Sequence, residues 1–208
     1  MGTCSEKNIH HCLELFKTDA PSYQFYRNSS FSIASSTYSD WEKDLELRIP
    51  KGELQDCFIK ARERYTSEED KIYLKRLFAY LLNISLPEID LLIVDEAHHY
   101  KHGIMGDVSY RNQVMSRLMG VIQEEDRDKI FCHFPFLEQK IRKKAQKVIF
   151  LSATPIDNGL FEIKNQLDCF LPNHKYSNSE SINEDIKAGL NSFMIRGLMS
   201  IKLEHEID

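Results

Sequence analysis

Leu91-Leu92-Ile93-Val94 runs without a break into Asp95-Glu96-Ala97-His98, and this stretch limits the folds open to the chain more than any other. Four consecutive apolar residues, two of them β-branched, predict a strand buried on both faces, as in a parallel sheet with helices on either side. The carboxylates then fall at the carboxyl end of the strand, where such sheets open their ligand crevice. An Asp there can hold magnesium directly or through water, and an adjacent Glu can orient and deprotonate an attacking water. That is the arrangement nucleotide hydrolysis requires. The plainer alternative is an acidic strand end that simply returns to solvent.

A second stretch repeats the pattern. Val148-Ile149-Phe150-Leu151 is fully apolar and leads into Ser152-Ala153-Thr154-Pro155. Asp-Glu-Ala-His after an apolar strand resembles motif II, the Walker B element, of superfamily-two helicases and translocases, and Ser-Ala-Thr resembles motif III of the same superfamily. The resemblance implies ATP and magnesium as cofactors. Asp95 is then the magnesium ligand and Glu96 the catalytic base, while Asp95, His98, Ser152 and Thr154 face the bound nucleotide. It also implies that the hydroxyls of Ser152 and Thr154 bond to His98 and the carboxylates, passing changes at the phosphates to the nucleic-acid side.

Thr154-Pro155-Ile156-Asp157-Asn158, followed by Leu160, Ile163, Leu167, Phe170, Leu171 and Pro172, resembles the segment after motif III in Swi/Snf-type ATPases. Lys101, three residues after His98, fits that group as well. Phe193-Met194-Ile195-Arg196 resembles the stretch by which such motors leave their first domain, although Gly197 replaces the usual second Arg. The Ser-rich stretch ending in Thr37 and Tyr38 loosely resembles motif Ib, a single-strand contact.

The expected fold is therefore α/β, a partial RecA-like domain with a parallel sheet flanked by helices. Residues 1–65 form a poorly defined N-terminal part, 66–172 the C-terminal half of a first motor domain, and 173–208 a linker and helix leading toward a second. No Gly-Lys-Ser or Gly-Lys-Thr occurs in the 208 residues, so no P-loop is legible. The sequence is then a truncated or split reading frame, a subunit completed by a polypeptide carrying the P-loop and the second motor domain, or a remnant reused for binding. The alternative function is a non-catalytic, helicase-derived module that binds nucleic acid or a protein partner.

Composition narrows the partners. The formal charge of −5 gives no general attraction for nucleic acid, so a DNA partner, favoured over RNA by the resemblance, would need a local patch. Five scattered cysteines, none in Cys-x-x-Cys spacing, read as reduced thiols of an intracellular protein, cytoplasmic or nuclear. No apolar run suits a membrane span, and no signal peptide is legible at the start.

Local patterns complete the expectations. Trp41 to Arg64 reads as charged and irregular, broken by Pro50 and Gly52. Thr66 and Glu69 suit a capping box for a helix running to Asn83, and Val114, Met115, Leu118, Met119 and Ile122 suit another. Glu124 to Lys129 reads as a solvated turn. A last helix should carry Leu137, Ile141 and Ala145 inward, with Lys140, Arg142, Lys143, Lys144 and Lys147 as a phosphate-backbone patch or, in preference, a solvated face. Asp95 with His98, His99 and His102 is a rival metal site.

Overall fold

The computed structural model describes residues 48–67, 70–104, 110–153, 158–159 and 161–172. The Ser-rich stretch ending in Tyr38, Glu69, Thr154 to Asp157 and Phe193 to Arg196 lie outside them. Two helices, α1 (Glu53–Arg64) and α2 (Lys71–Ser85), precede strand β1 (Ile89–Val94). A single 3₁₀ turn (Ala97–Tyr100) follows, then α3 (Tyr110–Leu118) and a short helical segment, Glu124–Asp126, that continues as a turn of π-helix, Arg127–Phe131. The chain continues through α4 (Pro135–Lys140), β2 (Ala145–Phe150) and α5 (Phe161–Phe170). β1 and β2 pair in parallel, with Ile89 opposite Ala145, Leu91 opposite Lys147 and Val94 opposite Phe150. Among the described residues the protein is thus of mixed helix and strand, with a two-stranded parallel sheet and helices packed against it.

Helix α2 is the centre of the core. Leu77 to Leu81 are each 0 % exposed, so the helix is buried all round through that turn rather than along one stripe. The Ser67 hydroxyl accepts the Asp70 N–H at 3.1 Å ahead of its first turn, one position after the Thr66 expected to cap it. It stops where Leu86, preceding Pro87, turns to extended backbone, as a residue before proline must. The charged stretch after Gly52, expected to be irregular, is α1. Leu54, Cys57, Phe58, Ala61 and Tyr65 recur at helical spacing, and the Phe58 ring meets Phe78 of α2 edge-on at 6.0 Å.

Asn83 fixes the far side of α2. Its amide donates to the carbonyls of Leu118 and Arg142, each at 2.8 Å, and its oxygen accepts the Arg142 N–H at 3.1 Å. Backbones come very close here: a Cβ on Gly120, whose φ is +95°, would lie 2.3 Å from the Arg142 carbonyl oxygen. Only glycine serves at that point.

Three expectations are corrected. The segment from Glu124 is not wholly solvated, because Asp126 turns inward and is fully buried. It faces the buried guanidinium of Arg117, with Nη2 donating to Oδ1 at 3.0 Å and Nε 2.8 Å from Oδ2, and accepts the Tyr80 hydroxyl at 2.6 Å. The basic run is not one helix face either, since α4 ends at Lys140 and Lys147 belongs to β2. Lys140 pairs with Glu53, Arg142 bonds to the Gln139 and Ile141 carbonyls, and Lys144 is buried, donating to the Leu86 carbonyl at 2.6 Å.

The third correction concerns the strands, which are not buried on both faces. Leu92, Val94, Val148 and Phe150 meet a core fed by all five helices. Leu91, Ile93, Ile149 and Leu151, alternating with them, are 45–56 % exposed. Successive side chains of a strand point to opposite faces, so helices gathered on one side leave the other uncovered among the described residues.

Candidate functional site

Two strand ends build the site. At the end of β1 the chain must leave the sheet abruptly, and Glu96 takes a left-handed conformation to do so (φ 52°, ψ 44°). For a residue with a Cβ this costs on the order of 1–2 kcal/mol. Among the described non-glycine residues Glu96 alone has positive φ. Such strain persists only where the surroundings impose it. Here they do: the Leu151 N–H donates to the Val94 carbonyl at 2.9 Å, and the Ala97 N–H to the Leu151 carbonyl at 3.0 Å. The exit from β2 thereby grips the exit from β1.

This grip brings together most of the candidate residues. Asp95 is exposed, and its Oδ1 accepts the Glu96 N–H at 2.9 Å. His98 Nδ1 lies 3.1 Å from Glu96 Oε2 and 3.3 Å from Ser152 Oγ. A carboxylate only accepts, so the Glu96 contact calls for the proton on Nδ1. The Ser152 hydroxyl proton is then free for another acceptor. Because both partners approach the same ring nitrogen, the group is not a serine–histidine–acid relay, which needs one partner on each nitrogen. Thr154 lies outside the described residues.

The oxygen donors suit a hard cation that keeps most of its waters and takes one or two carboxylates, as magnesium does. A caged metal fits less well. Among the described residues no group of three or more His, Cys, Asp or Glu side chains is placed to hold an ion. His99 stacks on His98 with ring centroids 4.3 Å apart, and the single turn Ala97–Tyr100 ends before His102, so His98 and His102 do not share a helix face.

Several contacts around the site were not anticipated from sequence. Tyr100, buried, packs edge-on against Phe170 of α5 at 4.7 Å, and Phe170 also meets Phe150 of β2 at 5.4 Å. Burial holds the Tyr100 phenol up at about 12 despite the opposing charge of Arg111. Asn165 donates to the Lys101 carbonyl at 2.8 Å, and Asn112 to the Gly103 carbonyl at 2.7 Å. Ahead of α5, Asn158 donates through Nδ2 to Glu162 at 3.0 Å. Its four-residue spacing is one longer than a capping box, so none of these asparagines carries a local capping pattern.

Among the described residues no helix is long and apolar enough to cross a membrane. Comparison of the chain with protein-family models, with curated proteins and with solved structures returns no match in any of the three.

Proposed function

We propose that the chain is a nucleic-acid-dependent ATPase component of a superfamily-two, Swi/Snf-like helicase or translocase, with residues 66–172 as the later half of a RecA-like motor domain. The observation that carries this reading is the meeting of Asp95, Glu96, His98 and Ser152 at the carboxyl ends of two adjacent parallel strands. In this reading Asp95 holds magnesium, and Glu96 orients and deprotonates the attacking water. Magnesium, when bound, neutralises developing charge on the phosphates. His98, kept against Ser152, links the acid pair to the second strand end, with Lys101 close behind it. Thr154 is assigned to the same role by resemblance alone.

A P-loop and a second motor domain would come from a partner polypeptide. Among the described residues nothing covers the outer apolar face of the sheet, which supports a further covering element there, since parallel strands are normally covered on both sides. DNA is the proposed substrate in preference to RNA, inside the cell, in cytoplasm or nucleus.

The test is magnesium-dependent ATP binding by the full chain, with Asp95→Ala beside it. Binding that needs magnesium and is lost in Asp95→Ala supports the reading, whereas binding indifferent to both overturns it. Absence of any binding, alone and in the presence of DNA, means that the site is only half present in this chain, and the decisive test passes to the polypeptide that completes it. In an assembly that hydrolyses ATP, Glu96→Gln is expected to retain nucleotide and lose turnover by a hundredfold or more, roughly what a general base contributes.

A further inference from the structure

The acid turn is held at its far end as firmly as at its near one, and by a different part of the molecule. Beyond Tyr100 the chain passes through Lys101 and His102 to Gly103, which has φ +74° and is buried. Two side-chain amides from two helices reach this short exit. Asn165 of α5 donates to the Lys101 carbonyl at 2.8 Å, and Asn112 of α3, fully buried, donates to the Gly103 carbonyl at 2.7 Å. The fit against Asn165 is close, because a Cβ on Gly103 would stand 3.0 Å from its side-chain Cγ and Oδ1. Glycine there lets the loop lie flat against α5.

We infer that Asn165 is a positioning residue: acting through the Lys101 carbonyl, it ties the turn bearing Asp95, Glu96 and His98 to α5. The inference rests on the proposed role of that turn but is testable apart from it. The acid turn is thus attached to the rest of the molecule by two routes. One is direct, through Leu151 and Ser152. The other runs through α5, by Asn165 at the backbone and by Phe170 against Tyr100. Two discrete attachments, one at each end of a strained turn, hold it as a unit.

Asn165 is the better probe, because it is half-buried whereas Asn112 is enclosed and its loss could unfold α3. Asn165→Ala removes the donor, and Asn165→Asp keeps the shape while presenting an acceptor to an acceptor. Gly103→Ala attacks the same contact from the loop side. Amide hydrogen exchange on the full chain should show residues 97–103 losing protection by roughly three- to tenfold in Asn165→Ala, the equivalent of one neutral hydrogen bond. Asn165→Asp should lose at least as much, and exchange within α5 should stay at the wild-type rate. A purely structural role would instead raise exchange along α5 and lower the melting temperature without singling out the turn. Equal protection at 97–103 in wild type and both variants, or loss spread evenly over α5, overturns the inference. Magnesium-dependent ATP binding is read in parallel. If the wild type binds, Asn165→Ala should weaken the magnesium-dependent part by about the same three- to tenfold. If the wild type does not bind, the exchange pattern alone decides the tether.

Discussion

Asp126 and Asp95 stand in the same small structure under opposite conditions. Asp126 is fully buried and enclosed by Arg117 and Tyr80, with Arg76 Nη1 at 3.6 Å. Asp95 is exposed, bonded through one oxygen to the next backbone N–H, and its neighbour Glu96 sits in a strained conformation. In the first region a charge is saturated and fixed, so it specifies packing. In the second, charges remain available and the backbone bears the strain, which is what a ligand-binding turn needs. A buried ion pair resists loss of one partner far more than its net contribution suggests, because the survivor stays buried without compensation.

Removing the carboxylate from each region should therefore give very different results. Asp126→Ala is expected to cost about 3–5 kcal/mol in denaturant unfolding, since Arg117 is left charged inside the core. Asp95→Ala should lie within about 0.5 kcal/mol of wild type. Comparable losses in the two variants would mean that Asp95 is a structural residue after all.

Next in size is Gly120→Ala, which tests how rigid the packed side is. The new methyl would meet the Arg142 carbonyl at 2.3 Å with the backbone at φ +95°, and about 3 kcal/mol should be lost from strain and overpacking together. A loss below about 1 kcal/mol would show that the α3–β2 approach yields more easily than the Asn83 hydrogen bonds imply.

Glu96→Gly sharpens the contrast from the other side and carries the opposite sign. Relief of the left-handed strain should raise stability by about 1 kcal/mol. In an active assembly the same change should abolish turnover. Gain of stability with loss of function is the expected signature of strain retained for chemistry.

The last effect shows only at alkaline pH. Burial holds Tyr65 and Tyr100 at about 12 against an ordinary value of 10.0, so the unfolded chain gives up these protons first as pH rises. Their contribution is complete below pH 10 and is lost as pH climbs through 12. Denaturant titrations across that window should show stability falling, with a shallower fall in Tyr100→Phe. An unchanged slope in that variant would assign the alkaline loss to other groups.

Sequence made some of this legible and hid the rest for physical reasons. The two apolar runs with their polar sequels located both strands and the candidate site, because a strand end and its chemistry are contiguous in the chain. The helix of Lys71–Ser85 was visible in its apolar spacing, whereas Glu53–Arg64 was obscured by the charges on its outer face. Apolar runs could not tell which strand face the helices cover, so full burial of Leu91 and Ile93 was expected where half exposure is found. Asp126 lay in a run of charges whose neighbours face water, and its partners Arg117 and Tyr80, from outside that run, turn it inward. Asn165 grips a carbonyl far along the chain and Asn112 one across a loop, and nothing local marks a side chain for such a task.

The parallel pairing of Ile89–Val94 with Ala145–Phe150 also has a kinetic side. Residues that lie far apart along the chain must find each other before Ser152 can reach His98, and such non-local contacts form late because the intervening loop has to close first. Hydrogen bonds within each helix are local, so helical turns can form while the two strand ends are still apart, whereas the candidate site waits on the long-range pairing of the strands.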